Sequence, residues 1–299
     1  MYANNKTKYP RVTLLIPCFD ARTYVGEAIQ CALTQTYGHI EIIIAPDDGD
    51  TYQHLREKFK SPQLRIIPPG NNAQTGAGAT RNRAIDASSG EYFAMLDADD
   101  RIPKNYIEEL MRVAIVEGAA LAPTRYVEWD GLELVRVPPI HNQLLSLSGF
   151  SQLLSSIHPL IHRSLEVGYC EGFAEDVIHD GTIIAKLGTI AVVNSVAYDL
   201  RLRSGSVCGS GADAELQIQK SYAQRIEQIL MRPTEIGAQF LSHQDRQDFA
   251  ELFRFRAMVS MEFSKNGASS YNEWVAGNEA ALWDRFTSCQ RQAELIAIG

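Results

Sequence analysis

An unbroken apolar run, Tyr92-Phe93-Ala94-Met95-Leu96, ends in three carboxylates within four residues, Asp97, Asp99 and Asp100. A short apolar run bounded by polar residues reads as a buried strand, so the acids stand at the carboxyl end of a strand. Like charges held together repel. A hard cation such as Mg²⁺ or Mn²⁺ relieves that repulsion by taking carboxylate oxygens as ligands, and it completes its shell with substrate phosphates. The stretch therefore points to a metal–diphosphate site. Taken alone, it is equally compatible with a solvated acidic turn before a helix capped at Asp99 or Asp100.

The preceding ninety residues decide between these readings. Arg11 to Pro17 and Ile40 to Ala45 are β-branched, apolar runs that predict two further buried strands. Between them Val25, Ala28, Ile29, Ala32 and Leu33 recur at a helical period. A helix is expected over Gln53 to Lys60, a short strand over Leu64 to Ile67, and a helix over Ala79 to Ser88. Such alternation predicts an α/β fold, a mainly parallel central sheet with helices on both faces. Ligands bind such sheets outside the carboxyl ends of the strands. Pro17–Asp20, Asp47–Asp50 and Asp97–Asp100 all fall at that edge, and three unrelated solvated turns account for the coincidence less well.

Downstream, Ile102 to Glu117 reads as an amphipathic helix and Ala119 to Val127 as a strand. A hairpin is expected to turn at Trp129-Asp130-Gly131 and return over Leu132 to Val137. Thr182 to Leu187 reads as helix and Thr189 to Tyr198 as strand. Asp199 to Gly211 reads as a Gly/Ser-rich loop carrying Arg201 and Arg203, and the pattern is helical from Asp213 onward. The expected division is a catalytic unit over 1–211 and a helical extension over 212–299. His179, three residues past Asp176, can share its helical face but reads more readily as structural. His158 and His162 are set aside as ligands because Pro159 lies between them.

The formal charge of −8 over 299 residues argues against a nucleic-acid binder, which needs a basic face. No run reaches membrane-spanning length, and the N-terminus lacks the apolar core of a secretory signal. Five scattered cysteines without metal-ligand spacing read as reduced thiols in a cytoplasmic protein. The helical extension mixes acids with its basic residues, so packing on the catalytic unit is the expectation; peripheral contact with the inner face of a membrane and a homodimer stay open.

In this order the pieces resemble the family 2 inverting glycosyltransferases, which have the A-type nucleotide-diphospho-sugar transferase fold. Leu14 to Asp20 is similar to that family's opening strand, Asp47-Asp48-Gly49-Asp50 to its D-D-G-S loop, and Gly78 to Asn82 to its A-A-R-N helix start. Leu96 to Asp100 is similar to its L-D-x-D-D motif, Glu175-Asp176 to its acidic pair, and Tyr198 to Ser206 to its Y-R-x-H-x-x-S loop. Asp20 stands where the family has Asn, Asp50 where it often has Ser, and Arg203 near its usual His.

The resemblance implies a hexosyltransferase that moves a sugar from a nucleoside diphosphate donor, a UDP-sugar being favoured, to a saccharide or lipid-linked saccharide acceptor in polysaccharide or glycoconjugate synthesis. It implies Mn²⁺ or Mg²⁺ as cofactor. Asp48 is expected at the base, with Asp47 shaping the same pocket, Pro17 and Asp20 beside base and ribose, and Arg81 at the base or bracing the metal loop. Asp99 is expected as the first metal ligand and Asp97 at the ribose or a metal-bound water. Asp100 is a weaker candidate. Arg203, ahead of Arg201, is expected over the diphosphate. Asp176 is expected as the general base, with Glu175 orienting it. Two rivals are weighed against this: a nucleotidyltransferase, which needs a glycine-rich loop that Pro17–Asp20 does not offer, and a nucleotide-sugar-binding scaffold without chemistry.

Overall fold

The computed structural model describes residues 9–70, 74–128, 134–136, 143–202, 212–266, 274–275, 277–278 and 281–288. Arg203 and the expected turn at 129–131 lie outside them. The chain begins with β1 (Val12–Cys18), α1 (Val25–Leu33), β2 (Ile40–Pro46), α2 (His54–Phe59), β3 (Leu64–Ile66), α3 (Ala77–Ala87) and β4 (Tyr92–Met95). Then come α4 (Tyr106–Glu117), β5 (Ala119–Leu121), β6 (Thr124–Glu128), β7 (Leu134–Arg136), β8 (Leu144–Ser146), α5 (Leu147–Ser151) and β9 (Leu160–His162). The rest is α6 (Glu175–Leu187), β10 (Thr189–Val192), β11 (Tyr198–Leu202), α7 (Ala212–Met231) and α8 (His243–Asn266).

The main sheet runs β3-β2-β1-β4-β9-β5-β10-β8, and a second sheet runs β11-β6-β7. The strands β3, β2, β1 and β4 are mutually parallel. Every residue of β2 is buried, as expected of a strand covered on both faces. Side chains alternate between two cores: Leu15, Ile43 and Phe93 face one, while Leu14, Ile16, Ile42, Ile44 and Ala94 face the other. Each fully buried aliphatic side chain in them contributes about 1.5–3 kcal/mol.

Register brings the loops together. Cys18 pairs with Pro46 and Leu15 with Met95, so the chain leaves β1, β2 and β4 at one edge. Strand β9 enters antiparallel between β4 and β5, with His162 opposite Tyr92 and Ile161 opposite Phe93. Continuing that register four residues back places His158 at the Asp97 end of β4.

Two expected strands prove to be pairs of strands. Ala119–Val127 breaks at Pro123 and Thr189–Tyr198 breaks at 193–197, and both breaks carry the chain from the main sheet to the small one. Hence β5 pairs with β10 in the first, and β6 with β11 in the second. The hairpin partner β7 returns antiparallel to β6. The expected loop at 199–202 is therefore strand, tied to the metal-motif turn by a bridge between Arg101 and Asp199.

From the helical extension, Tyr222, Ile229, Phe249 and Phe253 enter the same core as Leu15 and Phe93. Arg256 on α8 donates to the Leu153 carbonyl at 3.0 Å. No helix among the described residues is long and apolar enough to cross a membrane. Cys18, Cys31 and Cys170 are free thiols.

Candidate active site

The loop after β2 is held by its own acids. Asp47 is buried and accepts from the Thr75 and Gly76 amides, both at 2.9 Å, and from the Thr75 hydroxyl at 2.6 Å. Those bonds fix the approach to α3. Asp48 accepts from the Asp20 amide at 2.9 Å, the Tyr52 hydroxyl at 2.7 Å and the Asp50 amide at 3.0 Å. A carboxylate has about four acceptor positions, so room for one further donor is left. Asp20 has a left-handed backbone, φ 49°, and its side chain is exposed, while Pro17 beside it is half-buried. Burial together with Asp48, Asp50 and Asp99 pushes the Cys18 thiol well up. The two acidic loops therefore face each other across the end of β1.

At the end of β4 the Asp97 amide donates to the Tyr198 hydroxyl at 3.0 Å. One Asp97 oxygen lies 3.4 Å from Arg81, the other 3.5 Å from Nε2 of His158. Burial works against the Asp97 charge, but His158 and Arg81 outweigh it and hold the carboxyl below the usual range. Asp100 is buried and accepts from the Arg201 amide at 2.8 Å. Burial, Asp97 and Asp99 push it well up. Ligand atoms of Asp97, Asp100 and His158 lie within 4.8 Å of one another. Two carboxylates and an imidazole suit a divalent ion, so the donor set fits. Asp99 is half-buried on the same turn, its carbonyl accepting from Nε of Arg201.

Arg201 does not hang over the site as part of a loop. Its side chain is buried in β11 and bonds Glu27 on α1 at 2.7 Å. Arg81 takes the bridging place instead. It reaches Asp97 with one nitrogen and Glu175 with the other, and its guanidinium lies over the Tyr169 ring at 5.5 Å. Glu175 is buried, and burial and Asp176 push its carboxyl up. Asp176 is half-buried and lines a cavity of about 20 Å³ shared with Arg81, His158, His179 and Asp180.

Behind Asp176, His179 neither joins the Asp97–Asp100–His158 cluster nor faces outward. Its Nδ1 lies 2.8 Å from Asp180 and its Nε2 3.2 Å from Glu166. The ring stacks on Tyr169 at 3.9 Å. The turn into α6 is strained, since Ala174 has φ 54° and offers no side-chain cap. A left-handed non-glycine residue costs roughly 1–2 kcal/mol.

Sequence reasoning missed His158, Tyr198, Glu166 and Asp180. Asp180 was legible as the i+4 neighbour of Asp176 on a helix. His158 and Tyr198 reach the site only through strand pairing.

The sequence model of Glycosyl transferase family 2 matches residues 13–166, about half of the chain. The chain is 26% identical over 221 residues to the succinoglycan biosynthesis protein ExoO of Rhizobium meliloti (strain 1021), covering 67% of this chain and 63% of that protein. It is 28% identical over 121 residues to the glycosyltransferase GlyG of Streptococcus pneumoniae serotype 4, 40% of each. The chain thus spans less than two thirds of the length of these curated relatives. Among solved structures it resembles S. aureus TarS 1–349 in complex with UDP-GlcNAc, with TM-score 0.62 and 18% identity over 86% of this chain and 74% of that one. It also resembles the mannosyltransferase PcManGT of Pyrobaculum calidifontis in complex with GDP-Man and Mn²⁺, with TM-score 0.56 and 16% identity over 96% and 85%. At such identities the likeness concerns the fold. With the sheet, the ordered loops and the family match in agreement, the chain belongs to glycosyl transferase family 2.

Proposed function

We propose that this chain is an inverting, metal-dependent transferase that moves a hexosyl group from a UDP-sugar to a hydroxyl of a saccharide or lipid-linked saccharide, in the cytoplasm. The observation that carries the reading is Arg81, whose guanidinium joins Asp97, at the expected diphosphate end, to Glu175 beside Asp176. Donor and acceptor machinery are thereby held in one cleft.

Asp48 accepts from the base at its remaining position, and Asp47, Pro17 and Asp20 form the walls. Asp97 and Asp99 would hold the divalent ion, with Asp100 and His158, whose ligand atoms cluster with those of Asp97, as further donors. When bound, the ion neutralises charge on the leaving diphosphate. The diphosphate contact is assigned to Arg203 by the family resemblance alone. Asp176 takes the proton of the acceptor hydroxyl as its oxygen attacks the sugar carbon from the face opposite the diphosphate. The bond to the diphosphate breaks, and the nucleoside diphosphate leaves with the electron pair. Residues 1–211 supply this machinery, and from the extension 212–299 Tyr222, Ile229, Phe249 and Phe253 buttress it through the shared core.

The test is Asp176→Asn, followed by UDP-dependent thermal shift in Mn²⁺ and by UDP release from UDP-sugars. Retained UDP stabilisation with transfer abolished supports the assignment. Loss of UDP binding in that variant removes Asp176 as the base, and no shift of the wild type with any nucleotide removes the reading itself.

A further inference from the structure

Phe173 is 41% exposed and stands three residues before Asp176. Isolated exposed apolar side chains are ordinary, but this one is held in place. Its ring meets the buried Tyr222 edge-on, with centroids 4.9 Å apart. Its carbonyl accepts from Nε of the buried Arg225 at 2.7 Å, and the same guanidinium bonds the carbonyl of Glu171. Gly172 and Ala174 on either side are both left-handed, at φ 85° and 54°. A backbone held in that conformation at a non-glycine residue, with no capping bond gained, marks a functional loop. A crevice of about 550 Å³, within the range of ligand sites, opens beside the loop. It is lined by Arg225, Asn82, Glu171, Gln224, Gln228 and Glu235, side chains suited to hydroxyl groups.

We infer that Phe173 is the stacking platform for a pyranose ring of the acceptor and thus a specificity-determining residue, with the crevice taking the adjoining sugar. This rests on the transfer reading above. One face of a pyranose is lined by C–H groups and packs on an aromatic ring, while its hydroxyls stay at the rim for Asp176 and the crevice. An acyclic polyol has no such face. The acceptor class is therefore a glycan with cyclic sugars and not a polyol chain.

Saturation-transfer NMR tests this with methyl β-D-glucopyranoside, methyl β-D-galactopyranoside and ribitol as probes, in the presence of UDP and Mn²⁺. The wild type is compared with Phe173→Leu, which keeps the apolar contact to Tyr222 but lacks a flat face, and with Phe173→Trp. Transfer to at least one pyranoside and none to ribitol is expected, with about a three- to tenfold loss in the leucine variant and retention in the tryptophan variant. Equal transfer in the leucine variant, ribitol matching the pyranosides, or no pyranoside signal in the wild type each overturns the inference. UDP thermal shifts run in parallel separate the two levels. A preserved shift leaves the transferase reading standing when the platform fails, and an absent shift takes both down.

Discussion

The buried imidazole of His179 links the site to stability through pH. It is 2% exposed. Burial opposes its charge, yet the bonds to Asp180 and Glu166 prevail and push its pKa from the ordinary 6.5 up to about 9. The groups facing it are Asp180 and Asp176 on its own helix, Glu166 and Tyr169 from the β9–α6 connection, and Arg81 beyond Tyr169. A folded-state pKa raised in this way contributes stability that is complete below about pH 6.5 and lost as pH rises through about 9. Across that window the unfolded chain gives up its proton first, so stability falls by up to about 3 kcal/mol. Asp180, itself pushed up by burial, does not offset this, because a raised carboxyl likewise loses stability as pH rises, so the expectation stays at about 3 kcal/mol. Urea unfolding of the wild type and His179→Gln at pH 6.5 and 9.5 measures it. Buried Cys18 and half-buried Cys170, whose thiols are also raised, lower stability at alkaline pH in both proteins, so the difference between the two is the readout. The gap should be large at pH 6.5 and close by about 3 kcal/mol at pH 9.5. Parallel pH curves for the two proteins would refute a charged His179 clamped between the two acids.

Three further outcomes follow from the same contacts. A Cβ on Gly78 would stand 2.4 Å from the Cys170 carbonyl oxygen and 3.2 Å from Cγ of Glu175. Gly78→Ala should therefore destabilise by about 1–3 kcal/mol in denaturant titration, and a displacement of about 1 Å at Glu175 should lower kcat by about 100-fold. Tyr198→Phe removes the hydroxyl that accepts from the Asp97 amide. It should reduce stability by about 1–3 kcal/mol and raise the Mn²⁺ concentration needed for the UDP thermal shift. Arg81→Lys keeps the charge but cannot span Asp97 and Glu175 together, so kcat/KM for transfer should fall by about tenfold or more in a UDP-release assay.

The parallel half of the sheet was legible because its strands announce themselves locally. Tyr92–Leu96 and Ile40–Ala45 are apolar runs whose ends are marked by acids, and a parallel sheet places all such ends on one edge. That Asp47, Asp48, Asp97 and Asp99 stand at one sheet edge could be read without knowing a single tertiary contact. Helix α3 was placed two residues late, because the loop was read on to Gly78, whereas Gly76, at φ 93°, already ends it. The start of α4 was read four residues early, because Ile102 carries the apolar period into a turn that closes only when the Tyr106 amide meets the Pro103 carbonyl.

What stayed hidden depends on pairing across long separations. Pro159 argued locally against His158 as a ligand, and the argument was sound for a helix. The segment is instead the entry to β9, a strand inserted antiparallel between two others, and the histidine arrives beside Asp97 by register. Arg201 was read as a loop arginine because Gly and Ser follow it. Yet the shift of β5 and β10 into β6 and β11 makes residues 198–202 a strand and sends that guanidinium to Glu27. Both cases turn on the same step, the antiparallel and crossed pairings beyond β4, where no strand end is marked by a cluster of acids. The chemistry in this fold is therefore written twice. The acids stand at parallel strand ends, where residue order alone reveals them. The groups that tune those acids, His158, Tyr198 and the Glu166–His179–Asp180 set, come from segments whose partners only the folded chain selects.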